Sequence, residues 1–296
     1  DGVNVPLEST KSVTGWYTDS DLASIVDEKT KIKGSNVTLY PRIETGNYLT
    51  YESNGGTYIK PAFVSAEGIT VEPTNPSRLG YDFDGWFNSI DLNESSKFTF
   101  GNTLSESKIL YAKWTPASTT YKLVVWLEAA NSTSDNPSYD YVTTLVKNGT
   151  TEETIALPTA SELKGNNEIK FSIDKDEIMD DLDGKSEKNV TISGDGTAIA
   201  NVYLDRKEYS IKFYSTNEVL ANGQTSTIEK DYLLLDTLTI TANFGADITK
   251  QWESMTTNVT NTYGTRVWVA NPLNPGTTEN PVVSPLSTMT KDMDLY

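Results

Sequence analysis

A short phrase occurs twice in this 296-residue chain, and its spacing constrains the fold more than any other feature. Residues 15–19 read Gly-Trp-Tyr-Thr-Asp, and residues 80–87 read Gly-Tyr-Asp-Phe-Asp-Gly-Trp-Phe. Each is followed by a polar, acidic stretch and then by a segment closing on Leu-Tyr, at Leu39-Tyr40 and at Leu110-Tyr111. Trp16 and Trp86 lie 70 residues apart, and Tyr40 and Tyr111 lie 71 apart. Two anchors with nearly one offset mark a repeated small domain. An array of such units points to an extended surface protein rather than to an enzyme built around a central pocket.

Period-two alternation bounded by turn residues predicts strands through most of the chain, so the fold class is mostly β (α+β, β-grasp-like), a tandem array of small modules with little helix. Residues 1–44 read as a partial repeat, the second half of a module, with a closing strand at 36–43. Residues 45–115 read as a complete repeat: strand 47–53, the turn Asn54-Gly55-Gly56, a return strand at 57–60, the Trp86 strand and a closing strand at 108–114. Gly tolerates positive φ at no cost and Asn at little, which makes that turn a strong signal. Residues 116–207 read as a β-rich module that opens on 121–128 and closes on a hairpin of 188–192 with 198–206. Residues 208–296 read as a divergent β-rich module, with Trp268 standing 28 residues before Tyr296 where the earlier spacings are 24 and 25. The only helical candidates are Ala160–Leu163 and Asp174–Asp183. The linkers, around Gly46, Pro116 and Lys207, are short, which predicts limited flexibility.

The formal net charge of −17 argues against nucleic acid as a partner, because phosphate contacts need clustered Lys and Arg. It also disfavours an anionic membrane surface. The chain has no Cys, so no disulfide staples the modules, and no His, which removes the commonest general base and zinc ligand. No run of residues is long and apolar enough for a transmembrane helix. The first residues do not read as a signal peptide, and the chain reads as an interior fragment with both ends cut.

Tyr48-Leu-Thr-Tyr, Asn54-Gly55-Gly56, Pro76, the Gly80–Trp86 phrase, Phe98 and Leu110-Tyr-Ala-Lys-Trp114 occur in one order. With that set, the unit at 46–115 resembles the Listeria–Bacteroides repeat, the family that contains the B repeat of internalin B. Residues 13–43 resemble the second half of the same repeat. The phrases at 124–128, 194–206 and 209–213 resemble modules that accompany such repeats in Gram-positive surface proteins. The resemblance implies a β-grasp-like fold, a secreted and wall-displayed location, a stalk or adhesive role, and no catalytic residues or cofactor.

Six Trp are present. Repetition at a fixed place assigns Trp16 and Trp86 to module cores, as the main apolar mass of small domains. Tyr17 and Phe87 follow them and face the opposite side by alternation, which makes them candidates for a module or ligand contact. Trp252, outside the repeated phrases and between Gln251 and Glu253, is the candidate for an exposed, ligand-stacking ring. The acidic run Asp174–Gly184 lacks the alternating Asp and sixth-position Gly of a calcium loop and reads as solvated. Asp82 and Asp84 share a face but sit inside the repeated phrase, with no cleft to make them a glycosidase pair. The function expected is therefore a non-catalytic stalk or adhesin region, with a protein or glycan on a host or neighbouring cell as partner. The alternative is a carbohydrate-binding region of a secreted polysaccharide-degrading protein, which an exposed, coplanar aromatic pair would favour.

Overall fold

The computed structural model describes residues 10–31, 36–215, 233–235, 238–263, 268–270 and 282–296. Residues 1–9 of the partial repeat, and Arg266 and Val267 before Trp268, lie outside the described residues. The chain forms two compact units: residues 1–120 with 148–153 and 192–197, and residues 121–147, 154–191 and 198–296. The protein is mostly β.

The first unit contains β1 (Lys11–Tyr17), β2 (Tyr40–Glu52), β3 (Ala62–Ser65), β4 (Tyr81–Phe87) and β5 (Lys108–Pro116), in a sheet ordered β1-β2-β5-β4 with β3 also on β2. The paired strands of the first repeat recur in the second with the same register. β1 and β2 are antiparallel with Trp16 opposite Pro41 and Tyr17 opposite Tyr40, while β4 and β5 are antiparallel with Trp86 opposite Ala112 and Phe87 opposite Tyr111. Both pairs slip register at the same place, between Val13 and Gly15 and between Phe83 and Gly85. Leu22 and Leu92, 70 apart, hold positive φ (54° and 53°), and their amides donate to Asp19 O and Ser89 O. Leucine rarely adopts that conformation, so its recurrence marks a repeated loop geometry.

β2 belongs to both repeats. Its residues 40–45 pair with β1, Gly46–Leu49 with β3, and Leu49–Glu52 run parallel to β5. The expected linker at Gly46 is thus strand. Gly46 N–H donates to Thr10 O (2.8 Å), and Thr45 O accepts from Ala66 N–H (2.9 Å), so the crossing point is hydrogen-bonded to both repeats. The core of the second repeat is Leu49, Tyr51, Val64, Trp86, Leu104, Leu110 and Ala112. Two strand boundaries differ from expectation: the closing strand of the first repeat begins at Tyr40 rather than 36, and the partner of the 47–52 segment is Ala62–Ser65, with 57–60 left as connection.

The second unit contains β6 (Ser118–Glu128, from Tyr121), β7 (Tyr139–Thr150, to Lys147), β8 (Thr154–Ala156), α1 (Ala160–Gly165), β9 (Ile178–Leu182), β10 (Asn189–Thr191), β11 (Ile199–Arg206), β12 (Glu208–Ser215), β13 (Leu233–Leu234), β14 (Ile240–Asn243), α2 (Thr249–Tyr263) and β15 (Met293–Leu295). One sheet is ordered β7-β6-β11-β9, with β11 parallel to β6, and buries Tyr121, Leu123, Val125 and Leu127 with Ala200, Val202 and Leu204. α1 forms where Thr159 and Glu162 make a reciprocal capping box, two orphan amides satisfied at once. The run Asp174–Asp183 is not helical: Asp174 caps a single 3-10 turn, and Ile178–Leu182 pairs with β11. The expected hairpin is also replaced, since β10 pairs with β8 and β11 with β6. The second sheet is ordered β13-β12-β14, with β15 parallel to β12, around Ile211, Phe213, Ile248, Trp252, Trp268, Met289 and Leu295.

Candidate functional site

The three residues expected to meet a ligand or a neighbouring module are buried inside their own structures. Phe87 is 0% exposed and Tyr17 6%. Alternation does turn them away from the Trp side, but that face is covered too. The loop after Phe87 folds back, with Asn88 N–H on Ser96 O and Phe98 N–H on Trp86 O, and the ammonium groups of Lys113 and Lys97 stand 5.1 and 5.6 Å from the ring centre. Arg42 covers Tyr17 in the same way at 4.7 Å. Asp84, one of the weighed carboxylate pair, binds Lys113 (3.3 Å) and Lys97 (3.4 Å), and Lys113 chiefly holds its carboxyl below the ordinary range. Lys113 also pairs with Glu94.

Trp252 is 4% exposed, contrary to the expected exposure, because it stands on a helix rather than in a loop or strand. On α2 the neighbours Gln251 and Glu253 point about 100° away, so their polarity says nothing about the ring. Ile248, Trp252 and Met255 form the inner stripe, and Trp252 packs on Phe213 with ring centres 5.7 Å apart. The available signals were this spacing and Asp247, whose carboxylate accepts the Thr249 amide (2.9 Å) at the start of the helix.

A partly exposed aromatic cluster lies on the outer face of the β7-β6-β11-β9 sheet. Leu123, Val125 and Leu127 point inward, so Trp126 points outward, and its strand partner Tyr203 does the same on β11. The two rings are nearly parallel and stacked, 16° apart with centres separated by 6.1 Å. Tyr141, 59% exposed, meets Trp126 edge-on, and Tyr139 meets Tyr203 edge-on. Trp126 Nε1 donates to Asn201 Oδ1 (3.0 Å), whose amide in turn reaches Glu187.

At the Tyr139 end two carboxylates meet one phenol. Tyr139 Oη lies 2.7 Å from Asp183 Oδ2 and 3.0 Å from Asp205 Oδ1. A phenol has one proton to donate, so both contacts are satisfied when one carboxyl carries a second. Burial, the largest cause, raises the Asp205 carboxyl above its ordinary range, opposed by the Tyr139 hydrogen bond. Burial and both carboxylates push the Tyr139 phenol far up. Asp205 therefore takes up a proton in the folded chain at a pH where the unfolded chain has lost it. Its cost to stability is absent below the unfolded value, grows between the two values, and is complete above the folded one. Asp205→Asn is expected to stabilise the protein at about pH 7 and to leave it unchanged near pH 3. Denaturant unfolding of both proteins at the two pH values measures this, and equal effects at both would contradict it.

β11 passes into β12 through the single residue Lys207, whose amide donates to Glu177 O (2.9 Å) and whose carbonyl accepts from Phe244 (2.8 Å). Arg206, 8% exposed, ties the two sheets: Nε donates to Glu128 O (2.6 Å) and a terminal nitrogen to Phe244 O (3.1 Å). Tyr209 donates to Glu177 (2.7 Å), and Asn131 Oδ1 accepts the Asp247 amide (2.9 Å). Arg206→Met keeps the apolar stem and strands two carbonyls, and is expected to cost about 2 kcal/mol in urea unfolding. A change below about 0.5 kcal/mol would show that Arg206 does not couple the sheets.

The repeated sequence has counterparts in known proteins. Residues 3–41 and 48–113 match the Listeria-Bacteroides repeat domain family. Those two segments are Listeria-Bacteroides repeats. They account for the paired registers, the shared bulge and the recurring leucine turns of the first unit. A putative membrane protein of Evansella cellulosilytica is 34% identical over 110 residues, and a putative Gly-rich membrane protein of the same organism is 33% identical over 110 residues. In each case the match covers 37% of this chain, and only 16% and 13% of the relatives' own lengths. No described helix is long and apolar enough to cross a membrane.

Proposed function

We propose that this chain is a non-catalytic stalk or adhesin region of a secreted bacterial cell-surface protein. The observation that carries this reading is the joint at Gly46, where one strand closes the first repeat and opens the second, with hydrogen bonds from its backbone to each side. A joint of that kind gives a module array whose neighbours are tied by backbone pairing rather than by a linker, which suits a part that transmits position or load. The repeat family and the names of the two relatives support surface association. The high negative charge suits a crowded exterior, where like-charged chains repel.

The reading is tested by labelling intact cells of the source bacterium with antibody raised against the chain, and by measuring adhesion of beads coated with it. Labelling without lysis, together with bead adhesion to cells above an albumin control, is the expected outcome. Labelling that requires lysis would refute surface display.

A further inference from the structure

Three of the described strand ladders are parallel, and each joins the first strand of a module to its last. In the second repeat, residues 49–52 of β2 run beside residues 108–111 of β5. In the following module, residues 122–127 of β6 run beside residues 199–204 of β11. In the last, residues 211–213 of β12 run beside residues 293–295 of β15. The chain passes from β5 into β6 through Ala117 and from β11 into β12 through Lys207, so each closing strand leads straight into the next opening strand.

Strand direction decides how such a ladder meets a pull on the chain. Tension draws the first strand toward its N-terminal side and the last strand toward its C-terminal side. Where the two are parallel neighbours, these pulls oppose one another along the strand axis, and all the ladder's hydrogen bonds carry the load together. Where two such strands are antiparallel, both pulls act at one end, and the bonds open one pair after another. Losing several bonds in one event is a much rarer fluctuation than losing them in turn, so a parallel ladder opens more slowly under the same force.

A second observation points the same way. Each ladder is extended by hydrogen bonds from side chains at its ends or across its middle. In the second repeat, Asn54 Nδ2 donates to Ala112 O (2.7 Å) and Trp114 Nε1 to Ser53 O (2.8 Å) at the exit end, and the Tyr48 amide donates to Ser107 Oγ (3.0 Å) at the entry. Between β6 and β11, Trp126 Nε1 crosses to Asn201 Oδ1 (3.0 Å), and at the exit end the Arg206 amide and Nε donate to Glu128 Oε2 (3.1 Å) and O (2.6 Å). Beside β12 and β15, the Ser210 amide donates to Asp292 Oδ1 (2.8 Å). The first two ladders also lie inside their sheets, with Leu49, Leu110, Val125 and Val202 fully buried along them, so water competes poorly for their bonds.

We propose that this chain carries tension along its length, with the parallel ladder between first and last strands as the part of each module that resists extension. The proposal rests on the stalk reading for the origin of the force alone; the response of a ladder to force is measured without reference to where the chain is displayed.

The chain has no Cys, so two introduced thiols give unique attachment points on the full 296-residue protein. Thr45→Cys with Pro116→Cys pulls the second repeat's ladder along its strands, and Thr45→Cys with Ser105→Cys pulls the same ladder apart from its entry end; all three positions are exposed. In single-molecule pulling at one loading rate, the first pair is expected to hold to the higher force and then to release in one step on the order of 200 Å, the extended length of residues 49–111. Asn54→Gly keeps the backbone at positive φ (49°) and removes the exit-end bond to Ala112. Its expected effect is a roughly 5-fold shorter lifetime at constant force in the first arrangement, and no change in the force at which opening begins in the second, where that bond breaks last. Equal forces for the two arrangements, or a lifetime along the strands that Asn54→Gly leaves unchanged, would overturn the proposal. Ladders that resist as expected on a chain that intact cells do not display would refute the stalk reading alone.

Discussion

Trp86→Ala is expected to unfold the second repeat's sheet, at a cost of about 3–5 kcal/mol. The ring is 1% exposed and sits between Tyr51 (centres 4.9 Å apart) and Phe83 (5.4 Å), with Leu49, Leu110 and Ala112 completing the core. A small β module has few other large residues to close the cavity, so relaxation recovers little of the loss. Trp16, at the matching position of the first repeat, is only half-buried, and Trp16→Ala is expected to cost markedly less. Hydrogen exchange of the full chain separates the two. Trp86→Ala should release β4 and β5 while the second unit keeps its protection, and equal losses for the two variants would show that the repeats share one core rather than owning one each.

Gly46→Val is expected to cost about 3 kcal/mol, for a different reason. Gly46 needs no unusual φ. It needs space: a Cβ there would stand 2.1 Å from Val64 O and 2.8 Å from Ser65 Cα. Those are backbone atoms of β3, so a side chain can be admitted only by moving β3 off β2. The expected result is loss of exchange protection at Ala62–Ser65 and a weakened first unit, with the second unit unchanged. Protection retained along β3 would mean that the strands can part locally without cost.

The repeat itself was readable because Trp, Tyr and Gly positions are fixed by a strand pair, a bulge and a turn, and each leaves a residue-type signature at one offset. The regular loop turns at Leu22 and Leu92 were not readable, since positive φ at leucine has no sequence mark. Tyr17 and Phe87 misled because alternation tells which face a residue takes and not what later covers it; here a returning loop and lysine stems do. Helix α2 escaped because its window is rich in Thr and Asn, with a thin apolar stripe of Ile248, Trp252 and Met255. The seam escaped because Asp205-Arg206-Lys207-Glu208 looks like a solvated charge run, while in the fold Arg206 is buried against two carbonyls. Of the aromatics on the outer sheet face, Trp126 carried a usable pattern, the inward alternation of Leu123, Val125 and Leu127.

The central claim is that one continuous strand joins the two repeats. The exchange rate of the Gly46 amide tests it most directly, because that proton is donated to Thr10 O of the first repeat while its neighbour's carbonyl is held by Ala66 of the second. Slow exchange at Gly46, matching Tyr48 and Leu49 within β2, is the predicted result. Fast exchange at residues 45–47 between two protected halves would contradict it and turn the joint into a hinge.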